Sequence, residues 1–159
     1  MADMINKNIV DKAINEFINA DKNKAIKKLS KYIKKNKSDY VAKYNLGYML
    51  DQISDTDNAI KYYLEVSKNK IDHWQSRLNL SIIYIKLENF TSALIFINEV
   101  LKIYKDYQPA LRDKAFCLYN LKDQEDQIEA FKLIKLSIKL NPNDYIAINT
   151  LGLIHLKLE

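Results

Sequence analysis

One spacing constrains this chain more than any other feature: a small residue returns every 34 positions. Ala13, Gly47, Ser81 and Ala115 stand 34 apart, and Gly152 follows after 37. Both glycines of the chain fall in this slot. A second register, Ala25, Ala59, Ala93 and Ala130, takes the same steps. A third is set by Asp21, Asp55, Asn89 and Asp126, four residues before each alanine. Periods of this length belong to stacked repeat units. Small side chains are required where two helices cross closely, because a larger one there costs roughly 1–3 kcal/mol in overpacking. Asp or Asn just ahead of a helix caps its free N–H groups, worth about 1 kcal/mol.

Apolar residues between these markers follow helical spacing. Val41, Tyr44, Leu46, Tyr48 and Leu50 make one helix, and Ile60, Tyr63, Leu64 and Val66 the next. The pattern predicts nine helices, at 6–19, 22–36, 40–53, 56–69, 73–87, 90–104, 108–121, 125–140 and 145–158. The corners between units carry Asp39, Asp72, Asp106 and Asp144 as caps. Pro109 sits in a first turn, where a missing N–H does no harm, and Pro142 closes the helix before it. Two glycines and two prolines are too few for a turn-rich β-fold. The fold class expected is therefore all-α.

Paired helices of 34 residues, with Leu-Gly in the first, alanine early in the second and Asn-Pro after it, resemble the tetratricopeptide repeat. Residues 40–73 match through Leu46, Gly47, Leu50, Ala59, Tyr63 and Val66, and residues 74–107 through Leu80, Ser81, Tyr84, Ala93, Ile97 and Val100. Residues 108–144 match through Ala115, Leu118, Ala130 and Pro142, with three extra residues near Leu121–Gln127, at the corner between helices. Residues 6–39 are degenerate, as a terminal repeat tolerates, and 145–159 form a half repeat. Pentatricopeptide arrays have a similar length, but the Leu-Gly and alanine slots favour the tetratricopeptide family. The resemblance implies a single array over 1–159: a right-handed helical-repeat solenoid of about four and a half repeats whose first helices line a concave groove.

Carried over slot by slot, that groove takes Val10, Ile14 and Phe17, then Val41, Tyr44, Asn45, Tyr48 and Asp51. The third repeat adds Gln75, Leu78, Asn79, Ile82 and Ile85, and the fourth adds Arg112, Asp113, Phe116 and Tyr119. The last helix brings Asn149, Thr150, Leu153 and Leu156. Such an apolar, aromatic groove suits a peptide, a helix or a partner protein. Asn45 and Asn79 share one slot, where related arrays hydrogen-bond the backbone of an extended peptide; alternatively they satisfy their own helix. Tyr44 and Tyr48 are either partner-binding anchors or packing. Val10, Ile14 and Pro109 occupy slots where a carboxylate clamp needs polar or basic groups, so no such clamp is expected.

Catalysis is not expected. His73 and His155 lie in different repeats without carboxylate or cysteine neighbours spaced for a metal. Cys117 has no histidine beside it, and no glycine-rich phosphate loop exists. No cofactor is implied. Of the 25 basic residues only Arg77 and Arg112 are arginine, and the net charge is +5. This balance points weakly to nucleic acid. Lysines 22, 24, 27, 28, 31, 34, 35 and 37 form a basic run that suits an acidic partner, RNA, an anionic membrane surface or, most simply, a solvated outer face. No stretch is long and apolar enough for a signal peptide or membrane span, and a cytoplasmic location is the default.

The leading reading is a non-catalytic protein–protein interaction scaffold. The alternative is a repeat segment of a larger protein, a regulatory or oligomerisation module of a bacterial enzyme such as a glycosyl- or sulfotransferase. The last helix motivates it: Ile146, Ile148, Leu151, Ile154 and Leu156 make it apolar on several sides, unlike a polar cap. That face is then covered by further chain or by a second copy, giving a homo-oligomer.

Overall fold

The computed structural model describes residues 2–121 and 123–158, with side chains over 9–121 and 123–157. Among these residues nine α-helices follow one another: α1 (Ala2–Asn19), α2 (Lys22–Lys35), α3 (Tyr40–Gln52), α4 (Thr56–Asn69), α5 (Trp74–Lys86), α6 (Phe90–Ile103), α7 (Gln108–Leu121), α8 (Gln124–Leu140) and α9 (Tyr145–Leu158). These bounds agree with the periodicity to a residue, except that α1 begins four residues earlier. No strand occurs among the described residues.

Contacts group the chain into two compact units, Met1–Ser76 and Arg77–Glu159, divided within α5. In the first, α1 packs on α2, α3 on α4, α2 on α3, and α1 also reaches α3. Ala13, Ala25, Leu29, Leu46, Ala59, Tyr63 and Val66 are fully enclosed. The small-residue slot is enforced at Gly47, where an added Cβ would lie 3.1 Å from Tyr63 Cε1 and 3.4 Å from Tyr62 Cβ. In the second unit α6 packs on α7, α7 on α8 and α9, and α8 on α9. Ala115, Leu118, Ala130, Ile134, Ala147 and Ile154 form one core cluster there. The last small residue, Gly152, has nothing within 4 Å of an added Cβ.

Two corners are built identically. Ser54 and Glu88, again 34 apart, carry the left-handed φ values 63° and 55°. Ser54 N–H donates to Asp51 O (3.0 Å) and Asp55 N–H to Leu50 O (2.9 Å). Glu88 N–H donates to Ile85 O (3.0 Å) and Asn89 N–H to Tyr84 O (2.9 Å). This is the left-handed cap that satisfies the free carbonyls at a helix C-terminus. Asp55 and Asn89 then stand at the N-cap of the next helix. One residue thus closes a helix and opens its successor.

Caps depart from expectation in four places. Asp55 stands at the N-cap of α4, but its carboxylate makes no capping hydrogen bond. Asp126 is not the cap of α8; Asp123 is, its carboxylate accepting from Glu125 N–H at 2.9 Å. The cap register Asp21, Asp55, Asn89, Asp123 therefore stays at 34, and the three extra residues lie inside α8 rather than in the corner. They lengthen that helix to 17 residues, against 14 for α4 and α6. Gln127, which takes the slot of Ala59 and Ala93 in the unshifted count, is buried and donates to Leu118 O (3.2 Å) and Tyr119 O (3.1 Å). These carbonyls belong to the last turn of α7, where the helix supplies no donor of its own. At α5 the cap position belongs to His73 rather than Asp72, with Nδ1 accepting from Ser76 N–H at 3.3 Å. Asp106 lies one residue too early for α7, whose first turn bonds to Tyr107 O. Asp39 and Asp144 do cap, accepting from Ala42 N–H (2.9 Å) and from Ile146 and Ala147 N–H (3.0 and 3.2 Å).

Candidate functional site

The groove positions expected on the first helices differ in exposure: on α1, Val10 and Phe17 are buried in the core rather than facing outward. On α3 the stripe is Val41, Tyr44, Asn45 and Tyr48. Val41 is 62% and Tyr48 46% exposed, while Tyr44 and Asn45 are half-buried. Tyr44 packs its ring against Tyr63 (centroids 5.7 Å apart) and His73 (4.7 Å), so it is partly a packing residue. The Asn45 amide donates to Val41 O, one turn back, at 2.8 Å. That bond is the local one weighed against a ladder role.

In the second unit the equivalent positions are Leu78, Asn79 and Ile82 on α5, all half-buried, and Arg112, Phe116 and Tyr119 on α7, also half-buried. Phe116 meets Phe90 edge-on at 6.0 Å. Tyr119 is held by Lys157, whose ammonium lies 4.5 Å above its ring and donates to its carbonyl at 2.6 Å. Asn149 is exposed on α9, and Thr150 is buried, its hydroxyl donating to Ile146 O.

Arg112 is committed to structure. Its guanidinium donates to Asp113 Oδ1 (2.9 Å) and to Asp144 Oδ2 (3.1 Å), and Gln108 Nε2 reaches Asp144 Oδ2 and Ser137 Oγ, both at 2.7 Å. Loss of hydration pulls the Arg112 pKa down, but Asp113 and Asp144 outweigh it and hold the value above the usual one. Burial raises Asp113 above its usual value despite Arg112. At Asp144 desolvation works upward, yet hydrogen bonds from Gln108, Ala147 N–H and Arg112 leave the carboxyl below its usual value. Nearby, burial and then the charge of Asp113 push the Cys117 thiol up to about 12. A thiol so placed is a packing group, since reactivity needs the thiolate.

Two ion pairs escaped the reading of the sequence. Lys43 is buried and bonds Glu65; Arg77 is buried and its Nε donates to Glu99 Oε2 at 2.7 Å. Lys43 and Arg77 stand 34 apart, as do Glu65 and Glu99, so the same period carried the signal. The fourth repeat replaces both partners with leucine, Leu111 and Leu136. All eight lysines of the basic run are exposed, and Lys24 and Lys28 pair with Glu16 at 3.2 and 3.5 Å. Among the described residues no cluster of His, Cys, Asp and Glu is arranged for a metal ion, and no helix is long and apolar enough to cross a membrane.

Residues 40–70 and 75–107 match the tetratricopeptide repeat. No curated protein matches the chain. Among solved structures it is similar to MamA from Desulfovibrio magneticus RS-1, with a TM-score of 0.83 at 15% identity over 97% of this chain and 84% of that one. A tetratricopeptide repeat protein from Parabacteroides merdae gives 0.82 at 16% identity, covering 93% and 58%. The first tetratricopeptide domain of Spaghetti bound to an HSP90 peptide gives 0.69 at 21% identity, covering 75% and 92%. At such identities the likeness establishes the helical-repeat solenoid fold. With two repeats matched directly and the other helix pairs keeping their register, the chain carries tetratricopeptide repeats at residues 40–70 and 75–107.

Proposed function

We propose that the chain is an interaction scaffold that takes an apolar peptide or amphipathic helix on the outward stripes of its first helices. The observation that carries this is Tyr48: an aromatic side chain 46% exposed, two turns from the still more exposed Val41 on the same helix. Its slot is apolar in the second unit too, through Ile82, Phe116 and Leu153. Isolated exposed apolar residues need no explanation, but a slot that stays apolar through four repeats does. Each unit offers its own stripe.

The Spaghetti domain was solved with an HSP90 peptide, SRMEEVD, which ends in acidic residues. That likeness supports peptide capture as such. The slots here argue for a different peptide: Val10, Ile14 and Pro109 supply no cation, and Arg112 is already paired with two carboxylates. The ligand favoured is apolar with few acidic groups.

The test is selection of peptides from a displayed random library on the purified chain, followed by fluorescence anisotropy. Selected peptides should be apolar and should lose at least tenfold in affinity against Tyr48→Ala or Ile82→Ala, with helicity unchanged by circular dichroism. SRMEEVD serves as the acidic control and should bind more weakly. Selected peptides that bind both variants as tightly as the parent would reject this face.

A further inference from the structure

We propose that the outer face of α2 adsorbs reversibly to an anionic lipid bilayer through a stripe of lysines, the helix axis lying along the headgroups. This surface is separate from the peptide-binding stripes of the first helices, and its test does not depend on them.

Residues 22–37 hold eight lysines and no carboxylate. They carry +8 where the whole chain carries +5, so everything else is net acidic. The basic character of this protein is therefore a property of one helix and its exit. At about 100° per residue, Lys24, Lys27, Lys28, Lys34 and Lys35 fall within roughly 60° of the line through Lys31. All six are exposed, while Ala25, Leu29 and Ile33 on the other side are buried in the first unit. From Lys24 to Lys35 the stripe runs about 16 Å. Glu16 pairs with Lys24 at 3.2 Å and with Lys28 at 3.5 Å. No ion pair joins Lys27, Lys31, Lys34 or Lys35 to any of the described residues. Lys31 stands four residues from Lys27 and Lys35 and three from Lys34, spacings at which like charges destabilise a helix. The counterpart one repeat later, α4, places Glu65 between Lys61 and Lys68. A helix that only faced water could carry the same relief, and α2 does not.

The chemistry of the stripe selects its partner. Lysine is a compact, hydrated point charge without the flat fork by which arginine grips a single phosphate or carboxylate. The one aromatic of the run, Tyr32, is 8% exposed and donates to Asp39 Oδ2 at 2.8 Å, so it offers no ring on which a base could stack. The face presents charge in a row and little else. An exposed pair with a fixed carboxylate gains little, because two long side chains are pinned in one geometry. Lipid headgroups instead diffuse to the charge and leave the lysines mobile. Each lysine near an anionic leaflet raises the partition about fivefold, so the four without an ion pair supply about 600-fold. Lys28 and Lys34, at the edges of the stripe, stay within the Debye length of about 10 Å in 0.1 M salt.

The test is co-sedimentation of the 159-residue chain with vesicles of phosphatidylcholine containing about one third phosphatidylglycerol. The chain should bind them in about 0.1 M KCl and leave them in about 1 M, where the Debye length falls to about 3 Å. Pure phosphatidylcholine should not bind it. The variant Lys27→Gln/Lys31→Gln/Lys34→Gln/Lys35→Gln should lower the partition at least about a hundredfold. Changing the same four residues to arginine should preserve it. Lys61→Gln/Lys68→Gln/Lys132→Gln/Lys139→Gln removes equal charge from exposed sites on α4 and α8, and should lower the partition less than about tenfold. All altered positions are exposed, so circular dichroism should be unchanged. Polyglutamate or single-stranded RNA, added at equal charge, should leave the chain on the vesicles. No binding to anionic vesicles, or equal losses in the two glutamine variants, would overturn the proposal. Displacement by polyglutamate would assign the stripe to an acidic protein, and displacement by RNA to nucleic acid; either would overturn the bilayer as its partner.

Discussion

Truncating Glu99 should destabilise the chain far more than its half-exposed position suggests. Its carboxylate accepts from Arg77 Nε at 2.7 Å; the Arg77 side chain is only 8% exposed, Glu99 41%. Breaking a fully buried ion pair from one side costs about 3–5 kcal/mol, because the charge left behind loses a partner that offset its burial. Water at Glu99 screens part of this, so Glu99→Ala should cost about 2 kcal/mol. With a urea slope of about 2 kcal/mol per molar, the midpoint should fall by about 1 M. The chain contains its own control, since Leu111 and Leu136 hold the same two slots one repeat later. The double variant Arg77→Leu/Glu99→Leu should therefore lie within about 1 kcal/mol of the parent, or above it. Urea melts followed by far-UV circular dichroism and by tryptophan fluorescence must coincide for the comparison to hold. A single variant with an unchanged midpoint, or a double variant as damaged as the single, would refute the reasoning.

Three further outcomes are expected. Ser54→Gly and Glu88→Gly relieve left-handed backbone at a residue with a Cβ, and each should raise stability by up to about 1 kcal/mol in urea melts. Cys117, its thiol pushed up to about 12 and fully buried, should not react with a thiol reagent at pH 8 in the folded chain, and should react at once in denaturant. Asp144→Asn should lower the urea midpoint at neutral pH. A carboxyl held below its unfolded value stabilises fully above that value and loses the effect as pH drops through the folded one. The gap between variant and parent should thus close only below pH 3.8, as midpoints measured across an acid series will show.

Helix number, helix bounds and most corners were legible because a 34-residue period writes each of them several times. Asp39, Asn89 and Asp144 were read as caps and cap with their side chains. What failed was local chemistry that does not recur. His73 takes a cap role because its ring nitrogen reaches Ser76 N–H, which no spacing rule selects over the neighbouring Asp72. Asp126 was preferred to Asp123 because it keeps its distance to Ala130, and nothing in the sequence says on which side of the cap three residues were added. Of the candidate site, the positions of the stripe come from the register, and of its apolar members on α3 Val41 and Tyr48 are exposed. The capture of Arg112 by Asp113 and Asp144 does not come from it, since it joins residues 32 apart through two different corners. Lys43 and Arg77 were readable in principle, but in a lysine-rich chain a buried cation looks like any surface one.

The shared residue at the corners bears on how such a chain can change length over evolutionary time. Where Asp55 or Asn89 both finishes one helix and starts the next, the junction has no slack, and an inserted residue there would uncouple two caps at once. A helix interior can absorb extra length if it comes as nearly a whole turn, about 4.5 Å for three residues, which returns the buried face almost to its former direction. The fourth repeat shows that route taken: its corner cap keeps step with the others, the added turn sits behind it, and Gln127 reaches back to fasten that turn to α7. Insertions in this fold are thus expected in units of a turn and beyond the cap, so a repeat can grow without its neighbours losing count.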